Sequence, residues 1–327
     1  MNTPFETPRG QTSETEANAR DTATQSHDLP DGAPETSTTF NATAALHSNA
    51  GGRADDPAWG LTAAFGVWVA SVGLLLAGGV VALVVYALIR VPSLNMADLQ
   101  RALESDPLVI LLSIAAMIPV HLLTFAIAWA VVTGFNRRPF RETVGWSWDG
   151  RFNLLACLGL AVGLWLCGIA LATLFGGQET DIDRIISSSN AARFSVAFLA
   201  VVTAPIVEET VYRGVLFPPL RRAAGQTWAI VIVTLMFAGV HFFQYWNNLG
   251  VILAVTLLSL ALTWVRARTG RLLPCFAIHA AFNGIQAIII IAQPYLKTLV
   301  PTEPTAPPQQ SALLCDALVG ALARLCL

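Results

Sequence analysis

The amino-acid sequence predicts an all-α fold, a polytopic transmembrane bundle of about seven helices, within a range of roughly six to eight, behind a disordered N-terminal tail. Hydrophobic residues make up 54% of the 327 residues, and charged residues make up only 12%. Long apolar runs recur along the chain with short polar breaks between them. Residues 1–58, in contrast, are polar and lack apolar periodicity, which is typical of a disordered segment.

Seven apolar runs are long enough to cross a hydrocarbon core about 30 Å thick, at about 1.5 Å per helical residue. The sixth run is the shortest. The runs define a membrane-embedded domain over residues 59–297, whose candidate catalytic core covers about 194–294. The predicted spans are 61–89, 107–134, 153–176, 194–217, 228–246, 249–265 and 272–294.

Two further segments are predicted to lie at the membrane surface. The first is the Trp146-Ser147-Trp148 loop, because tryptophan is enriched at membrane interfaces. The second lies in the C-terminal tail, residues 298–327, where 311–327 places leucines on one helical stripe. That stripe could equally pack on the bundle.

The basic residues favour a cytoplasmic N-terminus, since loops on the cytoplasmic side of a membrane are enriched in arginine and lysine. In this topology the outer loops hold fewer basic residues, and the short loops agree with a bacterial plasma membrane. The arginines of the inner loops are Arg137, Arg138, Arg141, Arg151, Arg221, Arg222, Arg266, Arg268 and Arg271.

Composition also excludes several classes of protein. No run of basic residues interleaved with aromatic residues is present, so a nucleic-acid partner is not indicated. The five cysteines are scattered without a C-x-x-C pair, which argues against both a disulfide framework and a thiolate zinc site.

Ionisable residues at bilayer depth cluster in the C-terminal half of the chain. A charged side chain there costs roughly 2.5–3.5 kcal/mol on insertion scales, so it needs a partner or a function. The fourth span contains Glu208, Glu209 and Arg213, the fifth contains Phe237 and His241, and the seventh contains His279 and Asn283. The first three spans contain only His121, which we expect to be structural.

Helical spacing assigns these residues to different faces, because positions four apart share a face. Glu209 can therefore pair with Arg213, which leaves Glu208 free to face another part of the bundle. Pro205 lacks an N–H and should leave main-chain carbonyls free near the two acids. The distances of Glu208, His241 and His279 from their helix ends predict one shared cavity in the cytoplasmic half of the membrane.

Glu-Glu-x-x-x-Arg at 208–213, Phe-x-x-x-His at 237–241 and His-x-x-x-Asn at 279–283 occur in order on successive apolar helices. This pattern resembles the CPBP family of intramembrane proteases, which includes CAAX prenyl endopeptidases and bacteriocin-processing or immunity-type relatives. The resemblance covers roughly residues 194–294 and implies hydrolysis of a peptide bond within the membrane. It implies that Glu208 and His241 activate a water and that His279 and Asn283 stabilise the oxyanion.

Glu209, Arg213 and Phe237 are expected to support the site, and no cofactor follows with certainty from the sequence. Zinc remains open, with Glu208, Glu209, His241 and His279 as the ligands if a metal binds. The pairing of Glu209 with Arg213 favours a metal-free site. The sequence contains no H-E-x-x-H zinc motif and no G-x-S-x-G nucleophile motif.

The expected partners are membrane lipids and a peptide or lipid-modified protein near the cytoplasmic leaflet. Two other functions stay open. The first is a catalytically silent scaffold or immunity protein that uses the same cavity. The second is an ion-coupled transporter, since intramembrane acids and histidines also form proton relays. The absence of an internal repeat argues against the transporter.

Overall fold

A computed structural model of the protein describes residues 57–90, 95, 106–176 and 181–299. Every regular element in these ranges is helical. The predicted disordered tail, apart from its last two residues, and the predicted interfacial helix over 311–327 lie outside the described residues. The all-α membrane bundle is therefore confirmed for the part of the chain that the structure describes.

Ten α-helices follow one another along the described chain. They are α1 (Leu61–Arg90), α2 (Pro107–Thr133), α3 (Phe140–Thr143), α4 (Leu154–Phe175), α5 (Asp181–Ser188), α6 (Asn190–Phe198), α7 (Ala204–Glu209), α8 (Phe217–Phe242), α9 (Leu249–Thr269) and α10 (Leu273–Leu299). Two π-helical segments, Leu199–Thr203 and Thr210–Leu216, join α6 to α7 and α7 to α8 without interrupting the helical path.

Six helical stretches in the described ranges are long and apolar enough to span a membrane. One of them, Asn190–Phe242, has 53 residues. At about 1.5 Å per residue it would be roughly 80 Å long, more than twice the thickness of a hydrocarbon core. Gly225 breaks it, with φ 82° and ψ 167°. This stretch therefore accounts for both the fourth and the fifth predicted spans.

Local sequence explains where the other long helices begin and end. The Asp106 side chain accepts a hydrogen bond from the Leu108 N–H at 2.9 Å and caps α2, and Pro107 follows in the first helical position. The pKa of Asp106 lies below its usual value, mainly because its carboxylate accepts this hydrogen bond from the Leu108 N–H. Gly134 ends the helix with φ 59°, a left-handed conformation that suits glycine.

Two buried apolar clusters hold the bundle together. The first joins α1 and α2 to the π-helical segment Thr210–Leu216 and to α8, and the second joins α4 to α9 and α10. Many large apolar side chains outside these clusters are exposed, as expected for surfaces that face lipid rather than water. The polar residues of the C-terminal half lie between the clusters.

The three arginine-bearing loops meet at one end of the bundle, where Arg138, Arg221 and Arg271 line a single pocket. This agrees with the predicted topology, which places these loops on one side of the membrane. The Trp146 ring packs on Phe276 at 5.3 Å, so it belongs partly to the bundle. Trp148 is 45% exposed, and its interfacial position remains a prediction.

Candidate active site

Two π-helical segments flank the pair of acidic residues in α7. The Ala204 N–H bonds to the Leu199 carbonyl, five residues back. Pro205 has no N–H, so it cannot supply the next bond of this pattern to the Ala200 carbonyl. The Asn283 side chain supplies it instead, because Nδ2 donates to the Ala200 oxygen at 2.7 Å. This contact agrees with the prediction that Pro205 leaves a main-chain carbonyl available to another donor.

Glu209 and Arg213 form a fully buried ion pair. Arg213 Nη1 donates to Glu209 Oε1 at 2.9 Å, and both side chains are 0% exposed. The guanidinium also donates to the Ser259 carbonyl and hydroxyl at 3.0 and 2.7 Å and to the Thr263 hydroxyl at 3.2 Å. Its charge is therefore balanced and its donors are engaged. Glu208 and the two histidines line a central cavity of about 480 Å³, but neither Glu209 nor Arg213 does.

The Phe237 ring contacts Arg213 and both histidines. The Arg213 guanidinium carbon lies 4.8 Å from the centre of the Phe237 ring, a cation–π contact. The same ring stacks on His241 at 4.7 Å and meets His279 edge-on at 6.0 Å. Phe237 thus orients both imidazoles and forms part of the cavity wall.

His279 lies between the two acids. Its Nδ1 is 2.9 Å from Glu209 Oε1, and its Nε2 is 3.8 Å from Glu208 Oε2. Because the Glu209 carboxylate, paired with Arg213, can only accept, Nδ1 carries the hydrogen in this contact. The Nε2 atom is thereby turned toward Glu208. A buried carboxylate that fixes the tautomer of a histidine is a common arrangement at catalytic sites.

His241 is fixed in a similar way by the main chain. Its Nδ1 lies 2.9 Å from the Phe237 carbonyl oxygen, which can only accept, so the hydrogen again resides on Nδ1. In the neutral imidazole Nε2 is then an acceptor. His241 lines the central cavity and can offer this lone pair to a water or substrate there.

Glu208, His241, His279 and Asn283 line one cavity of about 480 Å³, together with Phe237. The Glu208 side chain is 25% exposed, whereas that of Glu209 is 0% exposed. The adjacent acids therefore differ in environment, as their positions on neighbouring helix faces predict. The rest of the wall is mostly apolar and includes residues from α1, α2 and α9.

The cavity extends to the end of α8 that lies away from the arginine-bearing loops. His241 is the second-last residue of α8, and the loop residues Gln244 and Tyr245 also line the cavity. Because α8 starts near Arg221, its other end lies away from the arginines. The fifth predicted span is four residues too long, since α8 ends at Phe242 instead of continuing to 246. The depth of the cavity in the membrane stays a prediction.

The atoms that could bind zinc do not converge on one point. Oε1 of Glu209 accepts from Arg213 and His279, and Nδ1 of His279 and of His241 are hydrogen-bonded, which leaves Nε2 of each histidine and the Glu208 carboxylate as the candidate ligands. Within the described ranges no three His, Cys, Asp or Glu side chains are placed to hold one metal ion. The geometry therefore supports no step through a metal.

The comparisons with known proteins agree with this geometry. Residues 190–285 match the family model described as Rce1-like, the type II CAAX prenyl endopeptidases. This part of the chain, called the Rce1-like domain for this similarity, covers less than half of the sequence. The domain begins with α6, ends within α10 and contains every motif residue from Glu208 to Asn283, and the predicted resemblance is confirmed over this range. No curated protein matches the chain, and no solved structure does.

Two cavity residues were not predicted from the sequence. His121, expected to be structural, lies outside the Rce1-like domain, yet it lines the cavity, and its Nδ1 is 2.9 Å from the Thr203 hydroxyl. Tyr245, within the domain, is 3% exposed and lies with its ring parallel to His241 at 6.4 Å. Burial, more than the nearby Glu208, raises the pKa of the Tyr245 phenol. Tyr245 is four residues after His241, and this spacing could have indicated that both side chains lie on the same side of the predicted helix.

Proposed function

We propose that the protein is an intramembrane endopeptidase that hydrolyses a peptide bond in a membrane-associated protein or lipid-modified peptide. The observation that carries this proposal is the placement of Glu208. Its carboxylate faces the cavity 3.8 Å from Nε2 of His279, whose other ring nitrogen is held by the buried Glu209. The Rce1-like domain supports the assignment to proteases at the level of the family.

Glu208 and His241 are the proposed activators of water. A carboxylate and the free Nε2 of a neutral imidazole are both suitable proton acceptors, and both side chains line the cavity. The water oxygen attacks the carbonyl carbon of the substrate while one water proton passes to Glu208. No serine or cysteine nucleophile takes part, and no group is transferred to the protein.

His279 and Asn283 are the proposed donors to the developing oxyanion. Since Nδ1 of His279 is committed to Glu209, the proposed donor is Nε2, which lies 3.8 Å from the Glu208 carboxylate and can share a proton with it. Asn283 uses one N–H for the Ala200 carbonyl and keeps a second for the substrate. Such donors are effective because most of the cavity wall is apolar.

Collapse of the tetrahedral intermediate completes the reaction. The carbonyl re-forms as the C–N bond breaks, and the proton held by Glu208 passes to the amide nitrogen. The products are a carboxylic acid and an amine, so one water is consumed and the protein returns to its initial state. This sequence needs no metal, and purified active protein should contain far less than one zinc per chain. Zinc at one per chain, lost together with activity, would contradict this part of the proposal.

The apolar wall of the cavity favours a substrate with an apolar segment or a lipid next to the cleaved bond. We further propose a multi-pass protein of a bacterial plasma membrane with a cytoplasmic N-terminus. With the arginine-bearing loops in the cytoplasm, the cavity side lined by Gln244 and Tyr245 faces away from it. A substrate near the cytoplasmic leaflet stays part of the proposal, and the residues Gln244 and Tyr245 mark a second side of the cavity.

Coexpression with a panel of membrane-anchored peptides tests the function, with cleavage followed by mass spectrometry. Products should appear with the natural protein and be absent with Glu208→Gln and with His241→Ala at matched membrane levels. Asp149→Asn is the matched control, since it removes one carboxylate in a loop that lines neither pocket while keeping the acceptor oxygen for Arg151. Products that persist in both site variants would indicate a contaminating protease.

A further inference from the structure

The end of the bundle that carries the arginine-bearing loops contains a second pocket, of about 660 Å³. Five arginines and one acidic residue, Glu142, line it. The arginines come from three regions far apart in sequence, namely the loop after α2, the first turns of α8, and the end of α9 with the residues that follow it, so the fold brings them together. They are Arg138, Arg221, Arg266, Arg268 and Arg271.

The positive charge in this basic pocket is poorly compensated. Among the residues that the structure describes, no carboxylate lies within ion-pair distance of Arg138, Arg221 or Arg271. Glu142 is the single acid in the pocket lining. Guanidinium groups gathered around a cavity repel one another, and a phosphate that accepts from several of them removes this repulsion.

The pocket has a rigid floor. Arg266 is 6% exposed, and its Nη1 donates to the carbonyls of Val144 and Gly270 at 2.8 and 2.6 Å. The Leu272 N–H donates to the Gly145 carbonyl at 2.9 Å, which joins the same two loops. A Cβ on Gly145 would lie 2.7 Å from the Gly270 oxygen, so only glycine permits this close approach.

The surroundings of the basic pocket indicate a lipid. The Arg268 guanidinium carbon lies 5.2 Å from the centre of the Trp264 ring, which belongs to the last turns of α9. Trp264 is 42% exposed on a membrane-spanning helix, the position at which tryptophan contacts the boundary between headgroups and acyl chains. A ligand with its phosphate in the pocket can place its acyl chains along this face of α9.

We propose that the basic pocket binds the phosphate of an anionic phospholipid headgroup. Basic pockets between membrane helices on the cytoplasmic side are a known mode of lipid recognition. The inference is independent of the proposed proteolysis, because none of these arginines lines the central cavity. The lipid would tie together the loop that follows α2, the start of α8 and the connection from α9 to α10.

Lipid retention tests the proposal directly. The purified protein in an uncharged detergent would be mixed with phosphatidylglycerol, phosphatidylcholine or inorganic phosphate, and binding followed by native mass spectrometry and thermal unfolding. We expect retention of phosphatidylglycerol, little retention of phosphatidylcholine and no stabilisation by phosphate alone. Equal stabilisation by phosphate would mean a site for a soluble anion and would overturn the lipid assignment.

The decisive comparison uses two double variants of equal charge. Arg138→Gln with Arg221→Gln should lower phosphatidylglycerol binding at least tenfold. Arg137→Gln with Arg141→Gln should leave it unchanged, because both residues are exposed and lie outside the pocket. Equal loss in both variants would mean a general charge effect and would overturn the site. If the first double variant does not fold, the single variant Arg271→Gln replaces it, and we expect a smaller loss of phosphatidylglycerol binding.

Discussion

The buried carboxylate of Glu209 lies 2.9 Å from Nδ1 of His279, an atom 70 positions later in the chain. The same oxygen accepts from Arg213, so a single buried acid both neutralises the arginine and fixes the histidine. Glu208, its neighbour in sequence, is left to face the cavity. The two adjacent acids therefore have different tasks, one as a support and one as the proposed base.

Breaking the buried ion pair should destabilise the protein strongly. Glu209→Leu or Arg213→Met leaves one buried charge without its partner, which costs about 3–5 kcal/mol of unfolding free energy. The double variant removes both charges and should recover much of that loss while remaining inactive, because His279 loses its orientation. Thermal unfolding in detergent measures the stabilities. A double variant no more stable than either single variant would argue against the charge-balance role.

Pro205→Ala should lower turnover without lowering stability. Alanine restores an N–H that can bond to the Ala200 carbonyl, so it competes with Asn283 for that acceptor and releases the amide. We expect roughly a tenfold fall in kcat with KM little changed, less than the roughly 10²–10³-fold loss for complete removal of a donor, because the amide is released and not deleted. Pro119→Ala is the control, since Pro119 also lies inside a helix but does not line the cavity. Equal effects of both substitutions would contradict the anchoring role.

Tyr245→Phe removes one O–H from the cavity and should reduce kcat severalfold while the protein still folds. Because the pKa of this phenol is raised, the group stays neutral and keeps its proton as the pH increases through its usual value. The shape of the pH–activity profile should therefore be unchanged, and only its height should fall. Trp246→Phe, in the same loop but outside the cavity lining, is the control. A shifted alkaline limb in Tyr245→Phe would mean that the phenol titrates during turnover.

The two ends of the bundle should be accessible from opposite sides of the membrane. A membrane-impermeant maleimide should label Gln244→Cys in intact cells and Arg137→Cys only in opened cells, in a background without the natural cysteines. Both positions are exposed in the structure. The reverse pattern would invert the proposed topology, and labelling of both from one side would contradict the bundle itself.

Much of the fold was predictable because membrane spans depend on length and composition. The spans α1, α2 and α4 begin and end within one residue of their predicted limits. The limits of the fourth and fifth spans were not predicted, because the stretch from Asn190 to Phe242 is divided by the conformation of a single residue, Gly225. The π-helical segments around the acids are likewise invisible to patterns based on 3.6 residues per turn.

The motif residues were predictable as a group, since polar residues at bilayer depth are rare. Their contacts were predictable only within one helix, as for Glu209 with Arg213, four residues apart. The contact of His279 with Glu209 and the position of His121 depend on packing between distant helices. His121 has no acid or base near it in sequence, so nothing local indicates that it lines the cavity.

The central claim is that Glu208 activates the attacking water. Purified protein in proteoliposomes, given a peptide that it cleaves in cells, would be compared with Glu208→Gln and Asp149→Asn for the rate of product formation. Loss of a general base should reduce the rate by about 10²–10⁴-fold in Glu208→Gln, whereas Asp149→Asn should match the natural protein. Cleavage by Glu208→Gln at the natural rate would contradict the account.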